Sequence, residues 1–462
     1  MPQDRPVGGM VIGAVAIAGL AQIWYGLGAF AGGSQDKARM DDQLISPNRS
    51  VGVLAASGWA AVVTIVVTVV AARSLDSSSY THFLVYWSVL FGCFQILTGL
   101  QNEGVRAVSS VSVKPDEVPA RPTARVLAMT LILAGIVAVL VLAIAPWWAP
   151  HLSVGVVVVV VSAIVVVSYG CHLTLGGILA GRRQWGTMAA LSAAEPTVRI
   201  ILIAGVALLA PSLSALQLAA ALPALTWLLF ALVVPRGRSA ALARGDVALK
   251  ALLANGAWAM LAAAASAVLV NGFPAIVQAA LGNNTPGMAS LLLGVQLTRA
   301  PLMMPLAAFQ GVAIAGFVAS RNGRLRALAK PFAAVVGVSA VLAVAAALLG
   351  PWIMRLLYGQ QYVLSRLVLG GLTFAAMSIA LLTLAGSAAI AIAAHKAFLA
   401  GWLVGAAATV GLLFALPMAG AERVIVAILV GPLVGVVVHL LAIRSDDRQH
   451  SLEADGAVAQ VG

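Results

Sequence analysis

The sequence predicts an all-α polytopic membrane protein: two six-helix lobes related by a parallel pseudo-two-fold, preceded by a further hydrophobic segment. Three observations predict it. First, the 462 residues are 61% hydrophobic and 9% charged, with mean hydropathy +1.02, where a soluble domain carries about 25% charged residues. Second, apolar runs of about eighteen residues or more recur from end to end, each long enough to cross a bilayer. Third, short sequence matches recur at a nearly constant offset in the two halves. The apolar-polar alternation of a β-barrel is absent.

Taken in order, residues 1–50 form an N-terminal extension. Its stretch 8–32 is long enough to span, and three readings stand: a thirteenth helix, a signal peptide ending near Ala29-Phe30-Ala31, or an upstream extension with translation starting at Met40. Twelve spans follow, near 51–72, 81–104, 126–148, 152–178, 188–210, 213–234, 251–281, 287–318, 331–350, 366–392, 397–418 and 424–443. The first six make an N-lobe (51–234) and the last six a C-lobe (251–443). The tail 444–462 is polar and reads as disordered. Loops on one side carry 17 Lys and Arg residues, whereas the other side carries only Arg73, Arg355, Arg366 and Arg423. The positive-inside rule then places both ends of the twelve-span unit, including the C-terminus, in the cytoplasm.

The repeat shows in outer loops. Pro146-Trp147 corresponds to Pro351-Trp352, and ARSLDSSSY at the end of span one to QAALGNNTP at the end of span seven. Six spans per half is an even number, so both halves enter the membrane the same way round. The net charge of +12 lies in short loops, which argues against a nucleic-acid partner. Cys93 and Cys171 fall inside apolar runs and read as packing residues rather than metal ligands or a disulfide.

Four spans carry polar stripes. In span two, Gln95, Thr98, Asn102 and Arg106 are spaced three, four and four apart, on one helical face. Span eight carries Gln296, Arg299 and Gln310, span one Thr64 and Thr68, and span seven Asn271 and Gln278. Such residues either glue helices together or line a watery cavity; amide-rich stripes with an arginine in each favour the cavity. Arg299 is the strongest signal, since a charge deep in a membrane span marks function. The acids available to pair with it are Glu103 and Glu195, and Glu195 has Arg199 one helical turn away, as an ion pair either structural or coupling. Arg299 is therefore expected unpaired, facing water, ready for an anion.

The stretch ARSLDSSSYTHFLVYWSVLF resembles the opening signature of the Wzx-type oligosaccharide-lipid flippases, with Ala72, Arg73, Leu75 and Tyr80 matching. Asp76 and Ser77 replace the usual Gly-Pro, and Thr81 the final glycine. Leu357, Tyr358, Gly359 and Tyr362 match that family's loop before span ten, and TRAPLMMPLAAFQG its Arg-x-Pro pattern in span eight. The resemblance covers residues 50–443 and extends to the superfamily that also holds the lipid II flippase MurJ and the MATE exporters. It implies two lobes with spans one, two, seven and eight lining a central cavity. It also implies alternating access in a bacterial cytoplasmic membrane and a polyprenyl-(pyro)phosphate-linked saccharide as cargo. The partners implied are that lipid-linked glycan, membrane lipids and glycosyltransferases or other envelope-assembly proteins, with no cofactor. A cation-coupled MATE-like antiporter and a transport-inactive scaffold are the alternatives. An enzyme would need placed carboxylates or a long outer loop, and the short outer loops offer only Asp76 and Glu422.

Overall fold

In hydrocarbon, every backbone N–H and C=O must find its partner within the segment, so long apolar runs fold as helices. The computed structural model describes residues 47–113, 124–282, 285–299, 324–392, 394–418 and 420–459. Seventeen helices organise these residues: α1 Pro47–Ser74, α2 Ser77–Val113, α3 Val126–Ala143, α4 Ala145–His151, α5 Val156–Gly181, α6 Trp185–Leu209, α7 Leu213–Ala221, α8 Thr226–Val233, α9 Pro235–Ala241, α10 Leu249–Val270, α11 Phe273–Leu281, α12 288–299, α13 Arg324–Tyr358, α14 Arg366–Ala375, α15 Met377–Ala391, α16 His395–Ala415 and α17 Gly420–Ala459. Among the described residues, eleven helical stretches are long and apolar enough to cross a membrane. Eleven of the twelve expected spans have such a counterpart. The remaining one, 287–318, is described only to residue 299, and the segment 8–32 lies outside the described residues.

Two compact units divide the chain, Met1–Ala264 and Ala265–Gly462, and the division falls inside α10. In the first unit, α2 and α5 cross at glycines. A Cβ on Gly181 would lie 2.8 Å from the Val105 carbonyl oxygen, and one on Gly177 would run into that of Gln101. Gly99 of α2 lies against the backbone of Ala259 and Met260 in α10. Hydroxyl and indole hydrogen bonds tie neighbouring helices: Tyr86 to Ser162 at 2.8 Å, Thr130 to Thr174 at 2.6 Å, and Trp59 Nε1 to Thr197 at 2.9 Å. This is the small-residue and hydroxyl chemistry that packs helices in lipid.

In the second unit, Gly435 of α17 lies against the Gly401 carbonyl of α16. Pro432 lacks an N–H, which frees the Ile428 carbonyl one turn earlier, and the Ser378 hydroxyl of α15 donates to it.

Two expectations change here. Residues 444–459, expected as a disordered tail, continue α17 as helix to Ala459. An already nucleated helix pays only for propagation, and no proline interrupts this stretch. Span seven, expected as one helix over 251–281, is broken at Asn271-Gly272. Pro274 cannot donate to Val270, and Gly272 cannot hold the helix against that loss.

Asp76, the residue that departs from Gly-Pro, caps α2. Its Oδ1 accepts from the Ser78 and Ser79 amides at 3.0 and 3.1 Å. Hydrogen bonds from the Ser79 side chain and amide hold its carboxyl below the usual range. Asp76→Ala should therefore lower stability by about 1 kcal/mol at neutral pH. A depressed carboxylate contributes fully above its unfolded value of about 3.9 and loses that contribution as pH falls through the folded value. Thermal unfolding of the two proteins should accordingly converge in strong acid.

Candidate functional site

The break in span seven creates the site. With Asn271 and Gly272 both donating to Ala267, and Pro274 without an N–H, the carbonyls of Leu269 and Val270 are left without helical partners. Arg299 of α12 supplies one. Its Nη1 donates to Leu269 at 2.7 Å and to Val270 at 3.2 Å. Its guanidinium carbon lies 4.8 Å from the centroid of the Phe273 ring, a cation–π contact. A cation at a helix C-terminus also meets the negative end of the helix dipole.

Arg299 is thus fixed by a backbone terminus and a ring rather than by an acid. The expectation of a wholly unpaired, water-facing guanidinium changes: one amino group is engaged, by carbonyls that the sequence reading did not weigh as partners. The other edge, formed by Nε and Nη2, is buried and has no hydrogen-bond partner among the described residues. These two nitrogens point their N–H bonds in parallel, the geometry that grips two oxygens of a carboxylate or phosphate.

In α11, Gln278 is buried and its Nε2 also lacks a partner among the described residues. Gln296, one turn before Arg299, is half-buried, as is Asn271 in the turn. Gln310 lies outside the described residues.

In the first unit the stripes resolve differently. Thr64 donates to Ala60 at 2.9 Å, Thr68 to Ile65 at 2.7 Å and Thr98 to Gln95 at 2.6 Å, each returning its proton to its own helix. Gln95 is half-buried and Asn102 exposed. Arg106, expected among the cavity-lining residues, is committed to two carboxylates. It meets Glu103 through Nε at 2.7 Å and Nη2 at 2.6 Å, and Asp246 at 2.8 and 3.1 Å. Asn255 of α10 donates to Glu103 at 3.3 Å. Asp246 lies in the connection between α9 and α10. It reaches Arg106 because residues 124–126 and 243–247 pair briefly, with an antiparallel bridge between Arg125 and Arg244. One guanidinium between two carboxylates leaves no positive charge to offer an anion.

Glu195 and Arg199 form a buried ion pair, as their spacing predicts. Arg199 Nε also donates to Ala220 at 3.2 Å, and its guanidinium carbon lies 4.8 Å from Phe91 and 5.6 Å from Trp87 ring centroids. Asp246, Asn255, Phe273 and the two α2 rings are the site residues that sequence reasoning missed. Pro274, four residues after Val270, was the signal for the freed carbonyl.

No family model matches the chain. Over 412 residues it is 37% identical to the uncharacterized Mycobacterium tuberculosis protein Rv3630, covering 86% of this chain and 93% of that one. The chain belongs to the Rv3630 family. Among solved structures, it is similar to the inward-facing form of a multidrug resistance MATE family transporter of the MOP superfamily, with TM-score 0.64, 16% identity, and 84% and 95% of the two chains covered. It is also similar to a MOP superfamily transporter from Pyrococcus furiosus, with TM-score 0.59, 15% identity, and 86% and 95% covered. These likenesses show that this Rv3630-family chain has the MATE fold.

Proposed function

We propose that the chain is a flippase, moving a polyprenyl-(pyro)phosphate-linked saccharide from the inner to the outer leaflet of a bacterial cytoplasmic membrane for cell-envelope polysaccharide synthesis. The observation that carries this reading is the bidentate edge of Arg299, buried, without a partner among the described residues, and held in place by the broken end of span seven. A phosphate offers that edge two oxygens. Gln278 and Gln296 offer amides to sugar hydroxyls, while the hydrocarbon tail stays in lipid. The two halves work as lobes in alternating access, with the basic side and the C-terminus facing the cytoplasm. Outward movement of an anion is favoured by an inside-negative potential, at about 2.3 kcal/mol per charge per 100 mV.

The fold alone does not choose the cargo. For the Pyrococcus furiosus transporter, reverse polarity of the binding pocket suggests a different function. The second reading, a MATE-like cation-coupled small-molecule antiporter, is favoured by the multidrug resistance transporter among the structural neighbours. Against it, both carboxylates inside the described spans away from their outer ends, Glu103 and Glu195, already hold arginines.

The test sets the two cargoes side by side in proteoliposomes. A fluorescent polyprenyl-pyrophosphate-linked sugar should equilibrate between leaflets only when the protein is present, while cationic dyes should leak at the protein-free rate. Dye movement without lipid movement would select the antiporter and reject the flippase.

A further inference from the structure

A buried carboxylate in a membrane protein raises the question of what neutralises it. In the first unit Glu195 is 4% exposed. Arg199 sits one turn along α6 in contact with it. The guanidinium is roofed by Phe91 and Trp87 of α2 and anchored by the Ala220 carbonyl of α7. Tyr169 and His172 of α5 stack on each other at 5.4 Å, and Tyr169 stacks in turn on Phe94 of α2 at 3.8 Å. From α1, Trp59 reaches the adjacent Thr197. A carboxylate, a carbonyl and two aromatic faces make a receptor for a cation. Here the cation is covalently part of the chain.

We infer that Arg199 is a tethered occupant of a cation cage, so that Glu195 exchanges neither protons nor sodium ions with solution. The acid inventory extends the point. The spans contain Glu103, Glu195 and, at an outer end, Glu422, and the undescribed stretch 300–323 contains no acid. Glu103 is held by Arg106 and Asn255. Glu195 therefore carries a built-in guanidinium, and admitting an external cation there would leave Arg199 buried without its counterion. Transport by this chain then runs without a coupling cation at Glu195, whichever cargo it carries.

The experiment reads the cage directly and needs no cargo. Arg199→Ala in lipid nanodiscs empties it. Its Tm should fall by several degrees and recover saturably with millimolar guanidinium chloride, but not with equal sodium chloride. Arg199→Ala combined with Glu195→Gln should show no such recovery. Absence of guanidinium recovery in a folded Arg199→Ala protein would overturn the cage. Should that variant fail to fold, wild-type protein carries the second measurement. Sodium titration should give no saturable heat, and infrared difference spectra between neutral and mildly acidic pH should show no buried carboxylic acid band. A saturable sodium heat, or such a band, would overturn the inference, and neither result depends on the cargo being a lipid-linked saccharide.

Discussion

Arg106→Ala should cost about 3 kcal/mol of stability, the low end of the range for removing one partner of a buried ion pair. Arg106 is 40% exposed along its side chain, so water offsets part of the loss, but Glu103 at 4% and Asp246 at 20% exposure would face each other without a cation. The like charges would push apart the end of α2 and the segment that leads into α10. Thermal unfolding in detergent should show the loss, and adding Glu103→Gln with Asp246→Asn should recover most of it. Unchanged stability in Arg106→Ala would mean that the cluster is too well hydrated to matter.

Arg299→Ala should abolish flipping with a smaller structural penalty. Two carbonyls lose their donor, at about 1–3 kcal/mol for unsatisfied buried groups, while the cost of burying an unpartnered Nε and Nη2 disappears. Arg299→Lys separates the two roles. An ammonium can still donate to Leu269 and Val270, so the break in span seven stays capped, but the parallel pair of donors is gone. The lysine variant should fold like wild type and transport at a reduced rate. Loss of transport in the alanine variant together with full transport in the lysine variant would make Arg299 a helix cap alone.

The spans were legible because lipid leaves an apolar stretch one economical structure, and the Glu195–Arg199 pair was legible because helical spacing places the two on one face. Arg299 stood out as a charge in an oily stretch. What the residue pattern did not reveal was its partner, since a freed backbone carbonyl has no letter of its own. Pro274 marked it indirectly, but apolar residues resume at Ala275, so 251–281 reads as one run. Asp246 was missed for a different reason: it lies in a polar connection, and only the bridge between Arg125 and Arg244 brings it to Arg106. His439 lies near the end of its span, a place in the sequence that points to an interface. It is wholly buried, bonded to the Phe398 carbonyl at 3.1 Å, in space that Gly401 leaves open on the facing helix. Packing between distant glycines and side chains carries no local periodicity and stays hidden until the helices are placed.

Equilibrium binding of a polyprenyl phosphate lacking any sugar, to wild type, Arg299→Lys and Arg299→Gln in nanodiscs, tests the phosphate site most directly. Wild type should bind most tightly and lysine less well. Glutamine should weaken binding about tenfold or more, equivalent to ~1.4 kcal/mol, with the difference shrinking as salt rises. Equal affinity across the three proteins would contradict a phosphate-binding role for the bidentate edge of Arg299.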